Sequence, residues 1–385
     1  MSILYSLIIF LFGLALVSQI LPKNRDRKIG YGLWVLHVLI SVYFCFFISG
    51  DAIGYWRVGK EIDWEEALIL LNEGKGTYFM HGFNYFFSGF LGMDYLSNTL
   101  FYGMLGFWGL LYFYRIVIDL IPFNSQLLDF KLFPFVFFMP MLHFWSSAIG
   151  KDTLLFWCIA LFSYGLLNIS KRFLMIIFAF GFAYVVRPHI ALLMIVGFGV
   201  AYLLDRKTAI WKRYTFGVIM LAGATVILPT VLEYVKLEEV SVESVSSYSE
   251  GKAAVLSRSH TGSSVDISSY PPPLKWFTFL FRPLFFDING LPALVASFEN
   301  LFLLLLFFKV LRNSPVEAFR KAPFVIKGLT LFLVLGTVLM SGSLGNLGIM
   351  IRMRNMFLPG MMIYFLWVLS YAQMRKSYRR NIQIK

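Results

Sequence analysis

Charge is what this chain has least of. Asp, Glu, Lys and Arg make up 14% of 385 residues, against about a quarter in an ordinary soluble domain. That scarcity excludes a soluble enzyme, and it weakens a nucleic-acid reading of the sequence pI of 9.6, which needs a basic face on a soluble domain. Cysteine is almost missing as well. Cys45 and Cys158 are the two that occur, far apart and each inside an apolar run, so neither a disulfide framework nor a metal spacing is indicated. No cofactor motif and no metal ligand set stands out, although a divalent metal stays open, and no internal repeat is evident.

What is present is apolar surface. Hydrophobic residues account for 58% and aromatics for 18% of the chain, and the mean hydropathy is +0.72. Runs of roughly 16 to 22 apolar residues recur, each long enough or nearly so to cross a hydrocarbon core about 30 Å thick at 1.5 Å per residue. The expected fold is therefore all-α: a polytopic transmembrane helical bundle of about 11 spans, with residues 1–385 forming one integral membrane domain. The spans start near Ser2, Gly30, Tyr95, Leu132, Thr153, Phe173, Ile190, Tyr214, Leu291, Phe324 and Asn355. Pro22-Lys23-Asn24-Arg25 reads as a charged turn rather than a signal-peptide cleavage site, so the first apolar run is kept as a span.

The basic residues orient the bundle, because cytoplasmic loops retain Lys and Arg. Placing the N-terminus outside and the C-terminus in the cytoplasm puts 22 of the 34 basic residues inside, but only five of the 21 acidic ones. Two larger segments then face outward. Residues 50–84 are rich in Trp, Tyr and carboxylates and suit an amphipathic interfacial helix. Residues 234–276 are Ser- and Pro-rich and read as a mobile outer loop, ordered in part or only around a ligand.

In this topology four polar clusters lie at the outer face. Lys151 and Asp152 follow Ser146, Ser147 and Gly150. Either Ser146, Ser147 or Asp152 caps the next helix, or short helices leave this turn in a cavity where Lys151 holds an anionic group near a helix N-terminus. Arg187-Pro188-His189 interrupts an apolar stretch; proline ends the helix and presents Arg187 and His189 together, unless the Arg simply snorkels to headgroups. Arg282-Pro283 follows an aromatic stretch and is either an interface anchor or a ligand contact. Arg352 and Arg354 follow Gly345 and Gly348 and both reach one ligand if their segment is extended. Arg predominates in this outer set, which suits bidentate binding of phosphate oxygens. Asp51, directly after a span and before Tyr55 and Trp56, is a candidate carboxylate base; His189 is its rival, and Asp152 a third catalytic candidate.

These residues carry a resemblance. Asp51 after an early span, the Ser146-Ser147-x-x-Gly150-Lys151-Asp152 turn, the Arg187-Pro188-His189 break, Phe281-Arg282-Pro283 and Gly348-x-x-x-Arg352-x-Arg354-Asn355 together resemble bacterial multi-span proteins of exopolysaccharide and O-antigen assembly. That group includes polymerases, ligases and the wider C superfamily of membrane glycosyltransferases. The long Asp-based loop of the best-known C-superfamily enzymes has no clear match. The resemblance implies a GT-C-like fold in the bacterial inner membrane and a polyprenyl-(pyro)phosphate-linked glycan as partner, besides membrane lipids and envelope assembly proteins. It implies repeat-unit polymerisation or glycosyl transfer, with Lys151, Arg187, Arg282, Arg352 and Arg354 on the pyrophosphate and Tyr55 and Trp56 stacking on sugar rings. A flippase of such lipids and a non-catalytic scaffold are the alternatives.

Overall fold

The computed structural model describes residues 2–48, 50–127, 130–205, 208–235, 242–257 and 262–383. Its helices in chain order are α1 (Ser2–Ile20), α2 (Asn24–Phe47), α3 (Asp51–Glu61), α4 (Trp64–Glu73), α5 (Thr77–Asn84), α6 (Tyr95–Leu120), α7 (Leu132–Phe135) and α8 (Pro140–Phe144). There follow α9 (Lys151–Gly165), α10 (Ile169–Val186), α11 (Pro188–Leu203), α12 (Ile210–Val235), α13 (Val242–Ser257) and α14 (Pro272–Phe281). The last are α15 (Leu291–Leu311), α16 (Pro315–Lys321), α17 (Phe324–Ser341), α18 (Leu347–Arg354) and α19 (Leu358–Gln383). Among the described residues the only ladder is a two-strand pairing of Gln126–Leu127 with Phe130–Lys131.

Among the described residues seven helical stretches are long and apolar enough to cross a membrane, or eight if α18 and α19, bent by 62° at their junction, count as one broken span. Three expected spans take another form. From Leu132 the chain makes only the four-residue α7, a 3-10 turn and the five-residue α8 before a run of turns to Gly150. Pro134 and Pro140 remove backbone donors there, so no continuous helix can form. The expected spans near Thr153 and Phe173 lie in one apolar stretch of 36 residues, Lys151–Val186, which folds back on itself. Trp157 meets Phe178 at 5.6 Å and Phe182 at 6.1 Å, whereas a straight helix would hold Trp157 and Phe182 about 37 Å apart. The 15-residue α9 is about 22 Å long, short of a full hydrocarbon core.

The turn of this hairpin is built from its own residues. A Cβ on Gly165 would lie 2.6 Å from Ile176, so glycine lets the two limbs close. Asn168 accepts from the Lys171 amide as the N-cap of α10, and the Arg172 guanidinium sits 3.8 Å from the Tyr164 ring centroid.

The chain divides into two compact units, Met1–Ile118 with Phe137–Ala191, and Asp119–Val136 with Leu192–Lys385. In the first, α1 and α6 run parallel: Ser2 donates to Asp94 at one end, and Arg115 donates to the Ile20 carbonyl at the other. Gly103, Gly106 and Gly109 form one ridge of α6, spaced by three, and the backbone of residues 146–157 lies on it. A Cβ on Gly106 would be 1.7 Å from the Ser146 carbonyl oxygen, and one on Gly109 would be 3.0 Å from the Trp157 Cα. Gly106→Ala must therefore displace the turn leading into α9, at a cost of about 1–3 kcal/mol or more. A thermal melt in detergent should show a clear loss for Gly106→Ala and none for Gly54→Ala, where the space is open.

Residues 50–84 contain three helices, α3, α4 and α5. Of these α4 starts with a capping box, Asp63 accepting from the Glu66 amide at 2.9 Å while Glu66 accepts from the Asp63 amide. In the second unit the Ser-rich segment 234–276 is not simply a loop. Its residues 242–257 form α13, whose Ala-Ala-Val-Leu end is a good helix former. Ala253 of α13 packs its carbonyl against Gly345, and Val265 and Leu347 exchange backbone bonds with Gly345 and Ser263. Those bonds fasten the segment to the turn before α18.

Candidate functional site

The open end of the α9–α10 hairpin, in the first unit, gathers the densest polar group. Pro188 ends α10, leaving Arg187 extended (φ −152, ψ 98) as its C-cap. From there the Arg187 Nη1 donates to Asp152 Oδ1 at 2.8 Å, with side chains only 11% and 6% exposed. The ion pair joins the first turn of α9 to the last residue after α10. The adjacent Lys151 reaches α5 instead, its Nζ donating to Thr77 Oγ1 at 2.8 Å and lying 6.0 Å from the Tyr55 ring centroid. Tyr55 in turn faces His81 at 5.6 Å between centroids.

A second strap holds this end together. Lys75 lies 5.0 Å over the Tyr184 ring, and the Gly76 amide donates to the Val185 carbonyl at 3.1 Å. Beneath the group, fully buried Asn84 donates to Tyr102 at 3.0 Å and accepts from Asn98 at 3.1 Å. Burial pushes the His81 imidazole below its ordinary pKa, and the Lys151 charge pushes it the same way, so His81 is neutral near pH 7. The arrangement brings a cation, hydroxyl groups, a neutral imidazole and an aromatic ring together.

The sequence-derived candidates divide accordingly. Lys151, Asp152, Arg187 and Tyr55 come together here. Asp51 opens α3 in an exposed position, one turn before Tyr55 and so on the same helical face. His189 stands half-buried in the first turn of α11. Trp56 is directed elsewhere: its Nε1 donates to the Met93 carbonyl at 3.0 Å and its ring packs on Tyr95, which makes it an anchor of α3. Neither Ser146 nor Ser147 caps α9; their hydroxyls bond back to the Leu142 and Phe144 carbonyls. Asp152 is engaged by the Arg187 guanidinium.

Thr77, His81 and Asn84 were not foreseen. Their spacing of four and three places them on one face of α5, a polar stripe that composition alone files with the interfacial charges.

The second unit holds the other arginines. Arg282 is gripped by Asp287, its Nε donating to Oδ2 at 3.0 Å and its Nη2 to Oδ1, with the Phe286 ring 5.4 Å away. Arg354 is 2% exposed, its Nη2 donating to Asn300 Oδ1 at 2.7 Å and its Nη1 to the Leu280 carbonyl. The segment carrying Arg352 and Arg354 is not extended but forms the helix α18, capped by Asn346. Residues two apart on a helix point about 200° apart, so Arg352 and Arg354 do not present one fork to one ligand. Among the described residues no three His, Cys, Asp or Glu side chains gather as a metal site.

No family model, curated protein or solved structure matches the chain. Its composition and apolar helices define it as an all-helical membrane protein.

Proposed function

We propose that the chain is a glycosyltransferase or repeat-unit polymerase of the bacterial inner membrane, acting on polyprenyl-(pyro)phosphate-linked glycans. The observation that carries this reading is the convergence of Lys151, Thr77, Tyr55 and His81 beside the Asp152–Arg187 pair. The resemblance drawn from the sequence supplies the substrate class. On this reading the chain crosses the membrane about eleven times, with the N-terminus outside. The two limbs of the α9–α10 hairpin, α11 and the broken segment before Gly150 each count as a passage, and the bundle is GT-C-like.

Lys151 binds the donor phosphate, and Tyr55 stacks on a sugar ring. His81 takes the proton of the acceptor hydroxyl as its oxygen bonds to the anomeric carbon; the carbon–oxygen bond to phosphate breaks and its electron pair leaves with the lipid (pyro)phosphate. Asp51 and His189 are the rival bases. The base must be unprotonated, so the acid limb of the rate profile follows the His81 pKa. Removing the Lys151 charge lifts that pKa and moves the limb to higher pH.

Purified protein given lipid-linked repeat units should form elongated product. Lys151→Gln should lower kcat/KM about 10²- to 10³-fold and shift the acid limb upward, and His81→Ala should abolish that limb. Unchanged product from Lys151→Gln, His81→Ala, Asp51→Asn and His189→Ala alike would sink the site. A second reading, a flippase of the same lipids, is favoured by one feature: the 62° break between α18 and α19 is of the kind transporters use at substrate sites. Lipid translocation without a new glycosidic bond would select it.

A further inference from the structure

The second unit contains a separate basic pocket at the end of an apolar stripe. A cavity of about 170 Å³ is lined by Arg312, Asn313, Ser314, Ala372, Arg375 and Lys376. It lies where the turn after α15 meets the last part of α19. Glu317 holds Arg375 in place, accepting from its Nη1, and is itself held by the Tyr371 hydroxyl at 2.9 Å. The side chains of Arg312 and Lys376 make no hydrogen bond or ion pair among the described residues. Ser314 is a non-glycine residue at φ 52, and as N-cap of α16 its side chain makes no capping bond. Three cations against one carboxylate thus surround a space with an uncommitted hydroxyl.

What adjoins the pocket narrows its ligand. Phe298, Leu301, Leu305 and Phe308 are exposed along α15, spaced by three and four, so they form one stripe of the helix. The stripe runs down to Leu311 and Arg312, and Val316 is exposed just beyond. An apolar lane ending in three cations, two of them without a partner among the described residues, matches the chemistry of an anionic phospholipid: acyl chain along the lane, phosphate in the pocket. Inorganic phosphate would use the pocket and leave the lane bare. We propose that Arg312, Arg375 and Lys376, with Ser314, bind the phosphate of an anionic phospholipid whose acyl chain lies along α15. This site is independent of any glycan chemistry in the first unit.

Native mass spectrometry of the full-length protein, mixed with phosphatidylglycerol, phosphatidylcholine or inorganic phosphate, tests it. Phosphatidylglycerol should be retained in preference to phosphatidylcholine, and excess inorganic phosphate should not displace it. The double variant Arg312→Gln/Lys376→Gln should weaken that retention roughly ten- to thirtyfold. Ala372→Leu, which fills the pocket and keeps every charge, should weaken it too and covers the case in which the double variant fails to fold. Arg57→Gln, elsewhere in the chain, should change nothing. Equal retention of the two lipids, unchanged retention in both pocket variants, or displacement by inorganic phosphate would each overturn the proposal.

Discussion

Arg187→Gln is expected to destabilise the protein by about 3–5 kcal/mol, because it removes one partner of a buried ion pair and strands the other. The Asp152 carboxylate is 6% exposed and receives the Arg187 guanidinium at 2.8 Å, so water cannot replace the lost cation without opening the hairpin. The pair's own net contribution is much smaller than this figure, since both charges were desolvated to make it. The double variant Arg187→Gln/Asp152→Asn separates the two effects. With no charge left behind, most of the loss should be recovered, and a double-mutant cycle by thermal unfolding in detergent should return a coupling of more than 1 kcal/mol. Additive single losses would mean that the pair is bathed by water. Lys151→Gln, at a half-buried side chain bonded to a neutral hydroxyl, should cost far less stability while costing activity. That contrast would separate the binding role proposed for Lys151 from the structural role of the ion pair.

What the sequence conveyed about this region depended on local rules. Proline after Arg187 removes a helix donor and pushes its predecessor out of the helical region, so the break was legible. The partner of Arg187 was not, because Asp152 lies 35 positions away and only the fold-back brings it within 2.8 Å. The segment from Leu132 is not one continuous helix for a complementary reason: hydropathy counts apolar side chains and is blind to the missing donors at Pro134 and Pro140. His81 escaped notice because its value comes from neighbours, Lys151 and Tyr55, on other helices. The glycine ridge of α6 was open to reading, since a three-residue spacing of Gly103, Gly106 and Gly109 marks close approach, but the backbone it admits lies about forty residues on. In the second unit, two arginines two residues apart could share one ligand only if their segment were extended. The Asn346 cap, which accepts from the Ile349 amide, turns the same residues into a helix and separates them.

That separation leads to the other large expected effect. Arg354→Met should destabilise the protein by about 3–5 kcal/mol, as loss of a fully buried charged donor does, whatever ligand the protein binds. The guanidinium is almost sealed from solvent and donates to Asn300 Oδ1 and to the Leu280 carbonyl. Asn300 passes the connection on, its Nδ2 donating to the Pro283 carbonyl at 2.8 Å. One side chain of α18 thereby ties the end of α14, the Arg282-Pro283 corner and the middle of α15. Methionine fills a similar volume but leaves two buried acceptors unmet, each worth about 1–3 kcal/mol. Lys at this position keeps the charge but cannot serve two diverging acceptors with a planar fork, so Arg354→Lys should recover only part of the loss. The measurement is thermal unfolding of the purified protein in detergent, alongside Arg352→Gln, whose half-buried side chain should give a much smaller shift. If the two arginines instead behaved alike in stability, the helical reading of this segment would have to be abandoned, and the extended fork would return as the better account.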